Sequence, residues 1–284
     1  MTEEKNKIED GTLYLVATPI GNLADISERA LKVLSEVDFV AAEDTRNSFK
    51  LLSCYGIKAE LVSYHEHNKK QSGEKIVDRL ILGESCALIT DAGMPAISDP
   101  GEDIVALCAE KNVPVKIIPG CCAAVSALSL SGLSTTRFAF EGFLPVQKSE
   151  RRKRLDALLN EERTFILYEA PHKLKNTLND LLDTFGQDRR ISLCRELTKL
   201  NEDVFRTTLK SAVEYYSENE PRGEYVLVIE GGSPAAKTDE FADLTPEEHV
   251  AYYEKLGMGR MDAIKKAAKD RGIPKSELYK QLID

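Results

Sequence analysis

Cys86-Ala87-Leu88-Ile89-Thr90-Asp91-Ala92-Gly93-Met94-Pro95 is the stretch that decides the fold of this 284-residue chain. Its first five residues read as a buried strand, because a strand covered on both faces loses the alternation of polar and apolar positions. The carboxylate, glycine and proline behind them make a turn. Asp99-Pro100-Gly101-Glu102 then predicts a helix start, with aspartate as N-cap, proline at the first helical position and glutamate at the third.

The same order of strand, polar loop and helix repeats on both sides. Thr12–Thr18 predicts a strand leaving through Pro19-Ile20-Gly21-Asn22; Ile26, Ala30, Leu31, Leu34 and Val37 then recur at helical spacing behind an Asp25 cap with Glu28 three residues on. Phe39–Ala42 is the next strand and exits into Glu43-Asp44-Thr45-Arg46. A helix around Phe49–Tyr55 stops at Gly56, Glu60–Ser63 is a strand, and Ile76, Val77, Leu80 and Ile81 mark a helix ended by Gly83. Strand Val113–Ile118 leads into Pro119-Gly120-Cys121-Cys122-Ala123 and a further helix. Such alternation implies an α/β fold with a mostly parallel sheet. Four polar loops then fall at strand carboxyl ends, where open α/β sheets bind ligands.

Beyond Thr135 strands outnumber helices. Strands are predicted at Phe138–Phe143, Thr164–Tyr168, Ile191–Cys194, Val204–Leu209 and Tyr225–Glu230. Helices are predicted behind a Ser149 cap, from Pro171 to Phe185 before Gly186, and at Ser211–Tyr216, which makes a mixed α+β unit. Gly231-Gly232-Ser233-Pro234-Ala235-Ala236 has linker composition. Thr245-Pro246-Glu247-Glu248 starts a helix, and helices near Met261–Arg271 and Lys275–Ile283 complete a small extension. The expected organisation is a disordered tail at 1–11, an N-terminal α/β domain at 12–121, a C-terminal α+β domain at 122–232, a linker at 233–245 and a helical extension at 246–284.

Hydrophobic residues make up 42% and charged residues 30%, and no apolar run is long enough to cross a bilayer, so a soluble protein without membrane contact is expected. Met1 to Gly11 lacks the basic-then-apolar pattern of a secretory signal, which points to the cytoplasm. The six cysteines show no metal spacing and are expected reduced. A net charge of -9 argues against phosphate attraction over the whole surface, so any RNA contact is local. Two local candidates exist. One is Arg151-Arg152-Lys153-Arg154 with Lys148, which also reads as an ordinary solvated helix face; the other is 247–284, with eight Lys and Arg against seven Asp and Glu.

Neither usual pyrophosphate cradle is present: no GxGxxG follows a strand and no GxxxxGK[ST] occurs. Gly257-Met258-Gly259 lies in the helical tail. A crevice of this kind suits a ligand without phosphates, such as S-adenosylmethionine, held by backbone groups and carboxylates. Asp91-Ala92-Gly93 lets backbone approach a ligand closely, though a connecting turn would use the same residues. Pro119-Gly120 with Cys122-Ala123-Ala124 exposes helix N–H groups, or serves close helix-sheet packing. In Glu43-Asp44-Thr45-Arg46 the arginine suits a phosphate and a carboxylate suits a hydroxyl proton, with a solvated turn as the alternative. His65-Glu66-His67 lacks a third ligand in sequence, so no metal is expected. Tyr168-Glu169-Ala170-Pro171-His172-Lys173 and Arg195-Glu196-Leu197-Thr198-Lys199 are polar strand exits, the second equally readable as an ion-pair network.

Together, Thr18-Pro19-Ile20-Gly21-Asn22-Leu23, Glu43–Arg46, Asp91-Ala92-Gly93 with Pro95 and Asp99-Pro100-Gly101, Pro119-Gly120, Glu141-Gly142-Phe143-Leu144-Pro145, Tyr168-Glu169 and Glu196-Leu197-Thr198-Lys199 closely resemble one family. It is that of the bacterial 16S ribosomal RNA cytidine 2′-O-methyltransferases, in the tetrapyrrole-methylase superfamily. The match runs in order from about Thr12 to Gly231. The resemblance implies two α/β domains of the class III methyltransferase type with S-adenosylmethionine in the cleft between them, and a homodimer. The substrate it implies is the ribose of cytidine 1402 in 16S rRNA of the small ribosomal subunit. By position it puts cofactor contacts at Pro19, Asp91, Ala92, Gly93, Ala96, Cys122, Ala123 and Tyr168. Met94 stands where the family often has threonine, Cys121 where it has proline and Lys173 where it has arginine. In-line attack by a ribose hydroxyl makes Glu43, Asp44 and His65 candidate bases, with Arg46 and Lys199 as phosphate or hydroxyl orienters.

Overall fold

The structure, a computed structural model, describes residues 6–232, 244–271 and 273–282. Most of the expected linker at 233–245 therefore lies outside the described residues, as do 1–5 of the expected tail. Within the rest of that tail, the Gly11 amide donates to the Gly83 carbonyl at 3.1 Å.

The first half alternates β1 (Leu13–Val16), α1 (Glu28–Glu36), β2 (Phe39–Ala42), α2 (Thr45–Cys54), β3 (Glu60–Ser63), α3 (Lys69–Ile81), β4 (Cys86–Ile89), α4 (Glu102–Glu110) and β5 (Val115–Ile118). These strands form an all-parallel sheet in the order β3-β2-β4-β1-β5. Its centre is β4, whose four residues are all buried, which is why that stretch shows no polar alternation. Side chains alternate along β1: Leu13 joins Ile76, Leu80 and Ile104 of α3 and α4, while Tyr14 and Val16 join Val33, Leu34 and Leu52 of α1 and α2. Helices thus cover both faces.

The second half runs α5 (Ala123–Leu130), β6 (Phe138–Phe143), α6 (Lys148–Leu158), β7 (Thr164–Glu169), α7 (Pro171–Phe185), β8 (Arg190–Arg195), β9 (Asp203–Thr208), α8 (Leu209–Glu218) and β10 (Tyr225–Ile229). Its sheet, β6-β7-β10-β8-β9, is mixed: β6 is parallel to β7 and the remaining pairs are antiparallel. The chain is therefore α/β, with a parallel and a mixed sheet. Both sheets belong to one compact unit made of the described parts of 1–156 and 163–230. The helix α5 packs on the second sheet, where Ala127 and Leu128 meet Ile166 and Val228, and Ile20 reaches the same cluster from the loop behind β1.

A second unit takes 157–162 and the described residues from 231 onward. It holds α9 (Pro246–Lys255), α10 (Arg260–Asp270) and α11 (Lys275–Gln281) around Val250, Ile264, Ala267 and Leu278. Thr245 and Glu248 form a capping box at its start.

Four helix starts differ from the sequence expectation. The cap of α1 is Ser27, whose hydroxyl accepts from the Ala30 amide, and Asp25 closes a short 3-10 turn instead. α2 begins at Thr45 under an Asp44 cap, so Glu43–Arg46 is a helix N-terminus and not a turn ahead of one. α6 begins at Lys148, which leaves Ser149 inside its first turn. Gly101, at φ 149°, caps α4, so Asp99 and Pro100 stay in the loop. Glycine alone adopts that backbone cheaply, and this releases the Asp99 carboxylate from capping.

Candidate active site

The loops behind β1 and β4 are stitched together by a two-residue bridge. Thr18 N–H donates to the Gly93 carbonyl at 2.9 Å and Gly93 N–H returns the bond at 3.1 Å. The Thr18 hydroxyl donates to the Thr90 carbonyl at 3.2 Å. Gly93 sits at φ 86°, and a Cβ there would meet Ile20 Cγ2 at 3.3 Å. Beyond it, Ala96 and Ser98 also take left-handed backbone, at φ 66° and 62°. Non-glycine residues rarely do so, and such strain concentrates at ligand sites. Ser98 is seated by a bulge in β6, where Gly142 at φ 63° leaves room for its hydroxyl.

Between the two sheets these loops enclose a cavity of about 540 Å³. Ala92, Gly93, Met94, Ser98 and Asp99 form one wall; Cys122 and Ala123 at the start of α5 form another; Phe143, Tyr168, Leu197 and Val226 close it from the second sheet. Mostly apolar walls with a few placed polar groups are what small-molecule sites present. The N-cap residue Cys122 makes no side-chain cap bond to α5, and the Ala124 amide donates instead to the Tyr168 hydroxyl at 3.2 Å. Burial pushes that phenol up to about 12. Edge contacts from Phe140 and Phe143, with ring centroids at 5.1 and 5.6 Å, fix its ring.

Carboxylates gather on one side. Burial, then the negative charges of Glu43 and Asp91, push Asp99 up to about 7. Glu43 is raised by burial and by Asp91, an effect that His65 partly opposes. Asn47 Nδ2 donates to Asp91 Oδ2 at 2.9 Å. His65 Nδ1 is buried without a hydrogen-bond partner among the described residues. Asp44 differs: its carboxylate caps α2 and accepts from Arg46 at 2.9 Å, which holds it down at about 2. Arg46 itself is 86% exposed.

On the opposite side Lys199 Nζ is 2.9 Å from both Glu196 Oε1 and Glu224 Oε2. Burial works against its charge, but those two hydrogen bonds outweigh it and raise the pKa. Gly21 lies against Lys199 and Thr198 so closely that a Cβ would overlap the lysine stem, which locks the first loop to the last motif.

Of the residues expected at the site, Ala92, Gly93, Cys122, Ala123, Tyr168 and Lys199 line the cavity. Pro19, Asp91, Ala96, Glu43, Asp44, Arg46 and His65 are not among the residues that line it. Sequence reasoning missed Asp99, Ser98, Glu224 and Val226. For Asp99 the signal was present but misassigned, since Asp-Pro-Gly is also what a loop before a glycine cap looks like. Among the described residues no group of His, Cys, Asp and Glu is arranged to hold a metal.

Residues 12–213 match the family described as Tetrapyrrole (Corrin/Porphyrin) Methylases. The chain belongs to that methyltransferase family. Within it, the chain is 48% identical over 273 residues to ribosomal RNA small subunit methyltransferase I of Halalkalibacterium halodurans, covering 95% of this chain and 94% of that one. The protein of the same name from Bacillus subtilis is 46% identical over 276 residues, with 96% and 94% covered. Among solved structures, uroporphyrin-III-C-methyltransferase from Thermus thermophilus superposes with a TM-score of 0.55 at 21% identity, over 77% of this chain and 94% of that one. Diphthine synthase gives 0.58 at 16% identity, over 77% and 90%. These two likenesses establish the fold of the methylase.

Proposed function

We propose that this methylase transfers the methyl group of S-adenosylmethionine to the ribose 2′-hydroxyl of cytidine 1402 in 16S rRNA of the small ribosomal subunit. The observation that carries the reading is near-half identity, end to end, with proteins named ribosomal RNA small subunit methyltransferase I. A homodimer acting in the cytoplasm is part of the same reading.

The cavity fits the cofactor. Its walls offer the N-terminus of α5, which the Cys122 side chain leaves uncapped, small residues at Ala92 and Gly93 that admit a ligand against backbone, and an aromatic face at Tyr168. Ala92, Gly93, Cys122, Ala123 and Tyr168 would hold it, with Pro19, Asp91 and Ala96 shaping the loops. When bound, S-adenosylmethionine supplies an electrophilic methyl carbon on a sulfonium. Positioning within about 3–3.5 Å of the ribose oxygen then supplies much of the rate. As the oxygen–carbon bond forms and the carbon–sulfur bond breaks, the hydroxyl proton passes to a base.

Asp99 is that base in our reading. It faces the cavity, and its pKa near neutrality matches the operating pH of a general base. Glu43 and His65 support it from outside the lining. Asp44 is too weak a base while it holds Arg46 and caps α2. Arg46, exposed at the rim, reaches RNA phosphate. Lys199 is committed to Glu196 and Glu224 and braces the wall.

The test uses small subunits from cells lacking the gene, the purified protein and methyl-labelled S-adenosylmethionine. Label released as 2′-O-methylcytidine from position 1402 is the expected result. Label on a base, on another nucleotide, or on a porphyrinoid with none on rRNA would overturn the reading.

A further inference from the structure

A second cavity, about 560 Å³ in volume, opens between α6 and α7. Lys148, Arg151 and Arg152 line it from α6, and Lys173, Asn176 and Asn179 from α7. The cations have different duties. Arg151 is largely covered, with its guanidinium on Asp180 at 2.6 Å and on the Thr177 hydroxyl at 2.7 Å. Arg154 holds Glu141 of β6 at 2.7 Å. These two arginines fix α6 in place. Lys148 and Lys173 pair with no carboxylate among the described residues. Among the described residues Arg152 meets only Asp156, one turn along its own helix at 3.0 Å and exposed, a pairing that is weak and easily exchanged.

In a protein of net charge -9, three available cations facing each other across a groove are a local reversal of sign. The groove also begins where the main cavity ends. Phe143 lines the main cavity and the next residue, Leu144, lines the groove; His172 and Lys173 divide in the same way at the start of α7. A polymer whose reacting nucleotide enters the main cavity finds this groove directly beside it.

We propose that the α6–α7 groove holds the phosphate backbone of the RNA strand flanking the target nucleotide. Lys148, Arg152 and Lys173 neutralise phosphates, and the amide of Asn176 hydrogen-bonds ribose or phosphate oxygens, while Asn179 Nδ2 is held by the Lys175 carbonyl at 2.9 Å. This inference rests on the rRNA reading given above. Cations without aromatic stacking partners on both walls select backbone over bases, so the groove positions the strand and carries no sequence information.

The test compares the full chain with a triple variant, Lys148→Gln, Arg152→Gln and Lys173→Gln, and with a charge-matched control on other surfaces, Lys58→Gln, Lys111→Gln and Lys210→Gln. Affinity for in vitro transcribed 16S rRNA is measured against salt. Each lost phosphate contact removes about 0.7 from the slope of log affinity against log salt on single strands, so the triple variant loses about 2 and the control does not. S-adenosylmethionine binding by calorimetry stays within twofold in every variant. Equal slopes in wild type and triple variant overturn the groove while leaving the methyltransferase reading intact. Failure of the wild type to bind or methylate rRNA at all sinks that reading instead. A loss seen on intact subunits but absent on naked RNA overturns the RNA assignment in favour of a protein contact. Should the triple variant not fold, Lys148→Gln alone, at an exposed position, carries the test with a slope change of about 0.7.

Discussion

Thr18 and Gly93, 75 positions apart in sequence, exchange both of their backbone hydrogen bonds, at 2.9 and 3.1 Å. That isolated antiparallel bridge ties together the loops that leave the parallel strands β1 and β4 and sets the loop that forms one wall of the cavity. It works because Gly93 sits at φ 86°, where an L side chain is strained. Gly93→Ala should cost about 1–2 kcal/mol from backbone conformation alone, and its Cβ presses on Ile20. We expect a lower melting temperature and roughly tenfold weaker S-adenosylmethionine binding, the conversion of about 1.4 kcal/mol. Unchanged affinity by calorimetry would show that this loop does not shape the cofactor site.

Asp99 makes a pH prediction with a definite sign. Its carboxyl is pushed up from the ordinary aspartate range to about 7 by burial and by Glu43 and Asp91. The folded state therefore keeps the proton longer than the unfolded chain does. The associated stability is full below pH about 4 and is lost as pH rises toward 7. Asp99→Asn should remove that part of the decline, read as the difference between wild type and variant in urea midpoints at pH 5 and 7.5. As the base, Asp99 also gives kcat an acid limb with a midpoint near 7, and its loss should cost about 10²–10⁴-fold. Glu43→Gln removes one like charge, so the limb should move to lower pH with activity retained. A limb that ignores both substitutions would assign the proton to another group.

The sheets were readable because local rules and tertiary context agree there. Helix α7, Pro171–Phe185, appears with the bounds its Pro start and Gly186 stop imply. The strands Phe39–Ala42, Glu60–Ser63 and Phe138–Phe143 also match, since apolar runs bounded by turns have few other homes. Capping was misread wherever two polar residues competed. Ser27 displaced Asp25, and Gly101 displaced Asp99, because a cap is chosen by the backbone angle at one residue and not by side chain alone. The carboxylate group of Glu43, Asp91 and Asp99 lay beyond sequence reasoning altogether. Its members come from the exits of two strands and a loop, and only the β2–β4 pairing brings them within electrostatic reach.

The Lys199 network predicts an interaction rather than a single loss. Lys199 sits between Glu196 and Glu224, and its hydrogen bond holds Glu196 below the usual carboxylate range. Lys199→Met leaves two carboxylates facing each other, and stability should fall by about 0.5–1 kcal/mol at neutral pH, the scale of partly exposed pairs. Glu196→Gln in the same chain should recover most of that loss. The double-mutant cycle is measured by urea denaturation; additive losses would mean the three groups do not act together.

The helical extension carries its own small core, and that yields a prediction about where instability spreads. Leu278 is fully buried among Val250, Tyr253, Ile264 and Ala267. Truncating it removes contacts that no residue outside this cluster replaces, at a cost of about 2–5 kcal/mol for Leu→Ala in a core. Because the helices form a compact unit apart from the two sheets, the loss should stay local. In Leu278→Ala, amide exchange across α9, α10 and α11 should accelerate about thirtyfold or more, on the scale of tenfold per 1.4 kcal/mol. Amides of β1, β4 and β7 should keep their protection. Acceleration of equal size in the sheets would mean that the extension and the catalytic unit open together, and a cavity-creating change in the tail would then lower cofactor affinity as well.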